Sequence, residues 1–359
     1  MRIVVDGLAY PIVISTEAAA ETARLLDGCE GRICIVADVA VRDRAETLRA
    51  DLLEKKFDVA GLFAVRTGER FKRWASVAQL HKHFIEAAVD RHGVVVAMGG
   101  GSLTDVAGFA AAMYLRGVRW LAIASTLTGM VDAAIGGKTG VNLPQGKNLI
   151  GAIWQPIGVI ADVLALKTLH GAAVRDGVAE MVKAAVVGDP GLLHRLQEVR
   201  VEDGPAAWAP LIAAAAQVKA AVVARDPGDR DVRAVLNLGH TFAHALERAT
   251  SYRTTHGSAV ALGLRGCGIL ARDRTGFPHE EHRAVVGALA RFGLRLRLGR
   301  VHVPSVLEAI RLDKKRRRGT SRFVLPVRLG EVKTDVEVSD DEVVSTLKQL
   351  RAGPGRLGW

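Results

Sequence analysis

The sequence predicts a parallel-sheet α/β domain followed by a mostly helical domain. In the first half, short runs of β-branched residues alternate with helical stretches, which is the pattern of a parallel sheet covered by helices. From about residue 170, long alanine- and leucine-rich segments with helical periodicity replace it. We therefore expect an α/β domain at residues 1–168, a helical domain at 169–351 and a disordered tail at 352–359.

The predicted elements follow from these patterns. The first domain should contain strands at Arg2–Val5, Pro11–Ile14, Ile33–Ala37, Leu62–Val65, Val94–Met98, Trp120–Ala124 and Val159–Ala161. Helices are expected between them at Arg42–Lys56, Ala75–Arg91 and Leu103–Leu115. The second domain should contain helices at Val178–Val187, Gly191–Val199, Pro210–Ala224, Asn237–Ala249, Ser258–Arg272 and His282–Phe292. Two short strands, Ser321–Val327 and Glu331–Val336, then precede a helix at Asp340–Arg351.

Composition excludes several classes of protein. Of the 359 residues, 49% are hydrophobic, so the chain can bury a core and is not predicted to be disordered. No apolar run approaches the roughly 20 residues that span a bilayer, so no membrane association is expected. The N-terminal residues lack the apolar stretch of a signal peptide, which predicts a cytoplasmic protein. Cys29, Cys34 and Cys267 show no disulfide or metal spacing and are interpreted as reduced thiols.

The net charge of +11 raises the question of a nucleic-acid partner. The excess is scattered apart from one dense run at Lys314–Arg318, and aromatic residues amount to only 5% of the chain. No zinc-finger or basic-zipper pattern is present. A positive field serves a small anionic substrate equally well, and we expect no nucleic-acid partner.

A strand that runs into three glycines is the first candidate site. Gly99, Gly100 and Gly101 precede a predicted helix, where glycines let a backbone approach a pyrophosphate and free N–H groups attract anions. The dinucleotide fingerprint is only partial, because Thr104 stands where its third glycine would be. A tight turn without a ligand is the alternative. Asp38, after an earlier strand, is interpreted as a helix cap rather than a ribose ligand.

The second candidate site is a polar loop from Asp132 to Asn148. Lys138 follows two glycines, and Lys147 precedes the asparagine, so the loop presents cations suited to phosphate or carboxylate groups. Its spacing differs from that of a P-loop, and a solvated surface loop is the alternative.

Histidines define the third candidate site. His240 and His244 are four residues apart on one predicted helix face, and His256 follows after a short loop. Glu180 lies with Lys183 on an earlier helix. Two histidines and one carboxylate form a catalytic zinc set with an open position. The glutamate of the metalloprotease motif is absent, which disfavours peptide hydrolysis.

Together these segments resemble 3-dehydroquinate synthase, the cyclase of the shikimate pathway and of aromatic amino acid biosynthesis, and its sugar phosphate cyclase relatives. The matching stretches are Gly99–Phe109, Tyr114–Gly117, Met130–Asn148, Ala179–Lys183, Leu236–His244, His256–Gly257 and Asp313–Lys315. The resemblance implies an N-terminal Rossmann-like domain, a C-terminal helical domain, a homodimer, and binding of NAD and of Zn²⁺ (or Co²⁺). It implies a lyase that converts 3-deoxy-D-arabino-heptulosonate 7-phosphate to 3-dehydroquinate and phosphate through transient oxidation, phosphate elimination, reduction and aldol closure.

The resemblance also implies roles for individual residues. Metal ligands would be Glu180, His240 and His256. Nucleotide contacts would come from Glu69, Lys72, Gly100, Gly101, Ser102, Asp105, Ser125, Thr126, Lys138, Lys147 and Thr168, with Thr67 in the same stretch as Glu69. Substrate-side residues would be Lys138, Lys147, Asn148, Lys183, Arg233, Asn237, His244, Lys314 and Asp132, together with Lys219. Arg116 would reach across the dimer interface.

The chain departs from the family pattern at three places, none of them a metal ligand. Ala124-Ser125-Thr126 replaces Pro-Thr-Thr, His170–Ala173 replaces a segment with a proline and an Arg-Glu pair, and Ser258 replaces an acid. These departures keep alternatives open: an aminodehydroquinate synthase, a valiolone-type synthase, or an NAD- and metal-dependent alcohol dehydrogenase. The sequence leaves the exact substrate and the resident metal undetermined.

Overall fold

The computed structural model describes residues 1–312 and 320–353. The chain forms two compact units. The first contains Met1–His170 and Gly204–Gly228, and the second contains Gly171–Asp203 and the chain from Asp229 onward. Of the predicted tail at 352–359, Ala352 is instead the last residue of a helix, and residues 354–359 lie outside the described residues.

The first unit is built on a parallel sheet, as predicted. Its strands are β1 (Arg2–Ile3), β2 (Ile12–Ser15), β3 (Ile33–Asp38), β4 (Val59–Val65), β5 (Val94–Gly99), β6 (Arg119–Ala124), β7 (Lys138–Leu143), β8 (Gly146–Ile153) and β9 (Val159–Asp162). Seven of these form one sheet in the order β1-β2-β9-β6-β5-β3-β4, in which only β1 is antiparallel to its neighbour. Its early helices are α1 (Ala18–Leu25), α2 (Arg42–Glu54), α3 (Trp74–Glu86) and α4 (Gly101–Met113).

The carboxyl ends of the central strands meet at one edge of this sheet. Ala37 of β3 is opposite Met98 of β5, and Gly99 of β5 is opposite Ala124 of β6. The segments that follow these strands therefore begin side by side. Open parallel sheets bind their ligands at this edge, so the register places the glycine turn where a cofactor is expected.

The predicted polar loop is only partly a loop. Residues from Lys138 onward form an antiparallel hairpin of β7 and β8, which packs against α4. Thr139 and Val141 are buried, and a Cβ built at Gly151 would lie 2.0 Å from the Thr139 carbonyl oxygen. The interpretation as a continuous loop was wrong because apolar alternation and glycines, which let the strands approach, outweigh the polar composition.

The second unit is mainly helical, and the predicted fold class is confirmed. Its elements are α5 (Gly171–Gly188), α6 (Pro190–Arg195), α8 (His240–Ala249), α9 (His256–Arg274), α10 (His279–Arg291), α11 (Val303–Arg311), β10 (Ser321–Arg328), β11 (Glu331–Val338) and α12 (Asp340–Ala352). Helix α9 is buried from Ala259 to Ala271 and packs against α5, α8, α10 and α12. It is the central helix of this unit.

Helix α7 (Pro205–Arg225) belongs to the first unit, whereas the division at residue 168 assigned it to the helical domain. It packs against β2 and against the turn at Val163–Thr168, and Leu211 and Ile212 are among its buried apolar residues. By length and composition this helix could cross a membrane, contrary to the expectation that no run is long enough. Core helices pass the same test, and the buried Lys219 on α7 fits a core position.

Candidate active site

The glycine turn of the first unit is closely packed. Gly100 caps α4 and Gly101 is its first residue. A Cβ built at Gly100 would lie 2.9 Å from Thr126 Cγ2, and one at Gly101 would lie 2.7 Å from Ala133 Cβ. Thr126 also accepts a hydrogen bond from the Gly129 N–H at 3.1 Å. These glycines let the N-terminus of α4 approach the segment after β6. A tight turn without a ligand and a cofactor-binding turn both require this close approach.

Two other residues of this edge, Asp38 and Ser102, accept hydrogen bonds from the segment after β4. Asp38 accepts a hydrogen bond from the Ala40 N–H at 2.9 Å, which confirms it as a helix cap, and also one from the Thr67 hydroxyl. Ser102 Oγ accepts the Gly68 N–H at 3.1 Å. The segment after β4 is thereby fixed beside the glycine turn, because Asp38 and Ser102 bind its first residues.

A partly buried polar network joins three of the predicted site residues. Lys72 Nζ lies 2.5 Å from Asp105 Oδ2 and 2.6 Å from Asn148 Oδ1. Burial raises the pKa of Asp105, and the Lys72 ammonium opposes that shift. The network therefore ties α4 and the β7–β8 hairpin to the segment before α3.

A second polar group links the same hairpin to Glu69. Asn142 Nδ2 donates to Glu69 Oε1 at 2.6 Å, and Asn142 Oδ1 accepts the Asn148 N–H at 2.9 Å. Lys147 Nζ lies 3.5 Å from Glu69 Oε1. Asn148 adopts a φ of +52°, and its N–H donates to Asn142 in this conformation. The sequence assigns Asn142 no role, and its only signal is an amide within a predicted anion-binding segment.

The structure also pairs Asp132 with Lys219. The Lys219 ammonium donates to Asp132 Oδ1 at 2.6 Å and to its carbonyl oxygen at 2.7 Å. Two expected site residues are thus in direct contact although they are far apart in sequence.

The remaining predicted residues of this unit differ in exposure. Lys138 is exposed at the start of β7, and Ser125 is buried with its N–H bonded to the Gly99 carbonyl at 2.9 Å. Thr168 donates its hydroxyl to Ala165 within its own turn at 3.1 Å. Arg116 is exposed, with a φ of +67° that follows a φ of +50° at Leu115.

The second unit brings Glu180, His240 and His256 together. One ligand atom from each lies within 4.8 Å of the others. His256 Nε2 is 2.9 Å and His240 Nε2 is 3.6 Å from Glu180 Oε1, while Lys183 Nζ is 2.6 Å from Glu180 Oε2. Each of the three comes from a different helix, so the fold of the whole unit assembles the cluster.

Both histidines are the first residues of their helices. His240 follows Gly239, whose φ of +80° requires glycine, and a Cβ at Gly263 of α9 would lie 2.1 Å from the Gly239 carbonyl oxygen. His256 follows Thr255, whose hydroxyl accepts the Ser258 N–H at 3.4 Å as an N-cap. Glycine packing and a helix cap therefore set the positions of the two imidazoles.

Burial and neighbouring charges shift the pKa values of all three residues of the cluster. Burial lowers the pKa of His240 to about 3, with Lys183 acting in the same direction. For His256, burial is outweighed by hydrogen bonds and attraction to Glu180 and Glu247, which raise its pKa to about 10. Burial would raise the pKa of Glu180, but Lys183 and the two histidines hold it well below its usual range.

The donor atoms fit a divalent metal. His240 Nδ1 lies 3.1 Å from the Leu238 carbonyl oxygen, so Nδ1 is the donor and the Nε2 lone pair is directed to the cluster. His256 Nδ1 faces Glu247 Oε1 at 3.4 Å, the arrangement that orients a metal-binding imidazole. Two imidazole nitrogens and a carboxylate oxygen are the ligands of an open zinc site.

Three further expected residues lie in this unit. Arg233 is 1% exposed, and its Nε lies 3.5 Å from Asp229 Oδ1, so it is not a surface residue. Asn237 is half-buried at the end of the same turn. The exposed His244 has its ring centroid 5.4 Å from that of His240. Lys314 and the basic run around it lie outside the described residues.

Two buried or half-buried acids beside the cluster were missed from the sequence. Glu247 on α8 contacts His256, and Asp176 on α5 accepts hydrogen bonds at the start of α9. Glu247 carried one signal, an acid three residues after His244 and therefore on the same predicted helix face as the two histidines. The residues around Asp176 gave no pattern that predicts its contact with residues about 80 positions away.

Family models of 3-dehydroquinate synthase match the chain, the N-terminal one at residues 62–176 and the C-terminal one at 177–316. A 3-dehydroquinate synthase from Methylacidiphilum infernorum (isolate V4) is 37% identical over 325 residues, 90% of this chain and 89% of its own. One from Synechococcus sp. (strain CC9605) is 35% identical over 362 residues, 98% of this chain and 97% of its own.

A solved structure agrees with these matches. The 2-epi-5-epi-valiolone synthase from Streptomyces hygroscopicus subsp. jinggangensis 5008, with NAD⁺ and Zn²⁺ bound, superposes with a TM-score of 0.86 at 28% identity. The alignment covers 98% of this chain and 99% of that one. The resemblance inferred from the motifs is confirmed, and this chain belongs to the 3-dehydroquinate synthase family.

Proposed function

We propose that this chain converts 3-deoxy-D-arabino-heptulosonate 7-phosphate to 3-dehydroquinate and phosphate, as a carbon–oxygen lyase of the shikimate pathway. The observation that carries the proposal is the convergence of Glu180, His240 and His256 beside Lys183. A carboxylate and two imidazoles at this spacing are a metal-binding set, and the family match over residues 62–316 supplies the substrate class.

Glu180, His240 and His256 would hold a divalent metal, Zn²⁺ or Co²⁺. A bound metal supplies Lewis acidity, which lowers the pKa of a substrate hydroxyl. His240 contributes a neutral nitrogen because burial and Lys183 depress its pKa. Lys183 also offsets the charge of Glu180, so the carboxylate remains ionised in a buried setting.

The glycine turn and its neighbours would hold NAD, which accepts and returns one hydride in each turnover. Gly100, Gly101 and Ser102 provide the start of α4, whose N–H groups suit a pyrophosphate. Glu69, Lys72 and Asp105 lie in the two networks beside that edge, together with Lys147. Ser125, Thr126 and Thr168 complete the proposed contacts, with Ser125 and Thr126 directly after β6.

Cationic and amide side chains would bind the carboxylate and phosphate of the substrate. The proposed set is Lys138, Lys147, Asn148, Lys183, Lys219, Arg233, Asn237, His244 and Lys314, with Asp132 holding Lys219. Charge-assisted hydrogen bonds are each worth about 1.5–3 kcal/mol, so several of them can hold a doubly anionic sugar. Arg233 is buried with a carboxylate partner, which orients its guanidinium.

We also propose a cytoplasmic homodimer in which Arg116 acts on the partner's substrate. Arg116 is exposed, and the neighbouring Met113 and Leu115 leave 40% and 41% of their surface exposed. Mixing Arg116→Ala with His256→Ala subunits tests this arrangement. Mixed dimers regain activity if Arg116 serves the partner's site, and stay inactive if it serves its own.

The experiment for the function offers three substrates in parallel: the heptulosonate phosphate, its amino analogue and sedoheptulose 7-phosphate. Release of phosphate is followed together with absorbance of NADH. We expect phosphate release with the heptulosonate phosphate and no net NADH. Preference for sedoheptulose 7-phosphate would support the valiolone-type alternative, and stoichiometric NADH would support a dehydrogenase.

A further inference from the structure

We propose that Asp176 is a positioning residue that fixes the metal ligand His256 by holding the first turn of α9 against α5. This inference rests on the proposed metal site. It concerns a residue whose hydrogen bonds go to Thr255 and Gly257, on either side of His256 in the sequence.

The contacts of Asp176 surround His256 in the sequence. Its Oδ1 accepts a hydrogen bond from the Thr255 hydroxyl at 2.8 Å and from the Gly257 N–H at 3.2 Å. The residues before and after the ligand are thus bound to one carboxylate oxygen. Because the N–H groups of a first helical turn have no partner within the helix, an external acceptor there fixes where the helix begins.

Close packing reinforces these hydrogen bonds. A Cβ built at Gly257 would lie 2.2 Å from Asp176 Cα and 2.7 Å from its Oδ1. Only glycine lets the first turn of α9 come this close to α5. The position of His256 therefore depends on the backbone of α5 as well as on its own helix.

The same helix carries the carboxylate ligand. Asp176 and Glu180 are four residues apart on α5, and such residues share one helix face about one turn apart. Helix α5 thereby supplies one metal ligand directly and holds the turn that supplies another. A displacement of the α9 start would change the distance between His256 and Glu180, which is now 2.9 Å.

Asp176→Ala tests the proposal, with the dissociation constant for Zn²⁺ or Co²⁺ measured by chelator competition and the visible spectrum of bound Co²⁺ as readouts. Loss of an outer residue that orients a ligand lowers metal affinity by about 10–100-fold. We expect a loss of at least about tenfold and an altered Co²⁺ spectrum. Asp176→Asn keeps an acceptor oxygen and should bind metal within about threefold of wild type.

Asp189→Ala is the matched control, since Asp189 caps α6 by accepting the Leu192 N–H at 3.2 Å. Helix α6 carries none of the three proposed metal ligands. The Asp189→Ala variant should lose stability without losing metal affinity. Wild-type metal affinity in Asp176→Ala would overturn the proposal. If Asp176→Ala does not fold, Asp176→Ser, whose shorter side chain cannot reproduce both hydrogen bonds of the carboxylate, decides in the same way. Failure of the wild-type chain to bind metal would instead contradict the proposed function.

Discussion

The polar networks of the first unit and the histidine cluster of the second use charge in opposite ways. In the first unit each cation has an acid or amide beside it: Lys72 binds Asp105 and Asn148, and Lys219 binds Asp132. In the second unit one buried carboxylate, Glu180, is approached by three nitrogen-bearing side chains. The first arrangement is neutralised internally, and the second concentrates nitrogen donors around one acid.

This difference shows what each region is built to accept. A ligand of the first unit must displace or extend existing contacts between side chains, which suits a dissociable cofactor and an anionic sugar. In the second unit the raised pKa of His256 places a proton between its Nε2 and Glu180. A bound metal ion would take the place of that proton beside Glu180 Oε1, while the Lys183 ammonium stays at Glu180 Oε2.

The largest expected effect is the loss of a metal ligand. His256→Ala removes one of three protein donors, and we expect metal affinity and kcat each to fall by at least about 100-fold. Metal content after dialysis and steady-state kinetics are the measurements. His194→Ala, at a side chain that is 79% exposed, serves as the control. Full metal content in His256→Ala would exclude this residue from the site.

Removing the ammonium that faces Glu180 should reveal the charge balance of the cluster. Both side chains of this pair are at most 4% exposed, so Lys183→Met leaves a buried carboxylate without its cation and should destabilise the metal-free protein by about 3 kcal/mol. Bound zinc should reduce this loss, because the metal compensates the same charge.

Chemical unfolding with and without zinc measures both effects. Lys82→Met is the control, since its pair with Glu86 is exposed and worth about 0.5 kcal/mol or less. An equal loss of stability in the metal-free and zinc-loaded proteins would contradict the charge balance described here.

Arg233→Lys examines a buried guanidinium, whereas the paired cations of the first unit, Lys72 and Lys219, are buried ammonium groups. Lysine cannot reproduce the planar contact of a guanidinium with a carboxylate or phosphate. We expect kcat/KM to fall by at least about tenfold, or about 1.4 kcal/mol, while metal and NAD affinity are retained. Arg253→Lys, at an exposed position, is the control. Unchanged kinetics for Arg233→Lys would remove it from the substrate site.

Sequence motifs predicted the parallel sheet and the helices, because glycine turns and apolar periodicity are local signals. The set of Glu180, His240 and His256 came from the family resemblance, and the structure brings these three residues together. The motifs did not predict Asn142 or Asp176, whose contacts arise only when distant segments meet. Nor did they predict Glu247, whose contact with His256 depends on how α8 and α9 pack together. Helix α7 shows the same limit. Its composition is that of any apolar helix, and only packing on β2 and on the turn at Val163–Thr168 assigns it to the first unit.

The smallest expected effect concerns the networks of the first unit. Asp105→Asn weakens the contact with Lys72 but keeps an acceptor, so we expect NAD affinity to fall by about five- to tenfold, close to 1 kcal/mol. Fluorescence titration with NAD is the measurement, and Asp58→Asn, at a side chain that is 61% exposed, is the control. A wild-type dissociation constant for Asp105→Asn would place the cofactor away from this network.

The most direct test of the central claim is metal removal and return, with phosphate release from 3-deoxy-D-arabino-heptulosonate 7-phosphate as the readout. If Glu180, His240 and His256 form the catalytic metal site, the chelated protein retains less than about 1% of its activity. Zn²⁺ or Co²⁺ should then restore activity at about one ion per chain. Full activity in metal-free protein, or restoration that His256→Ala shares, would contradict the account.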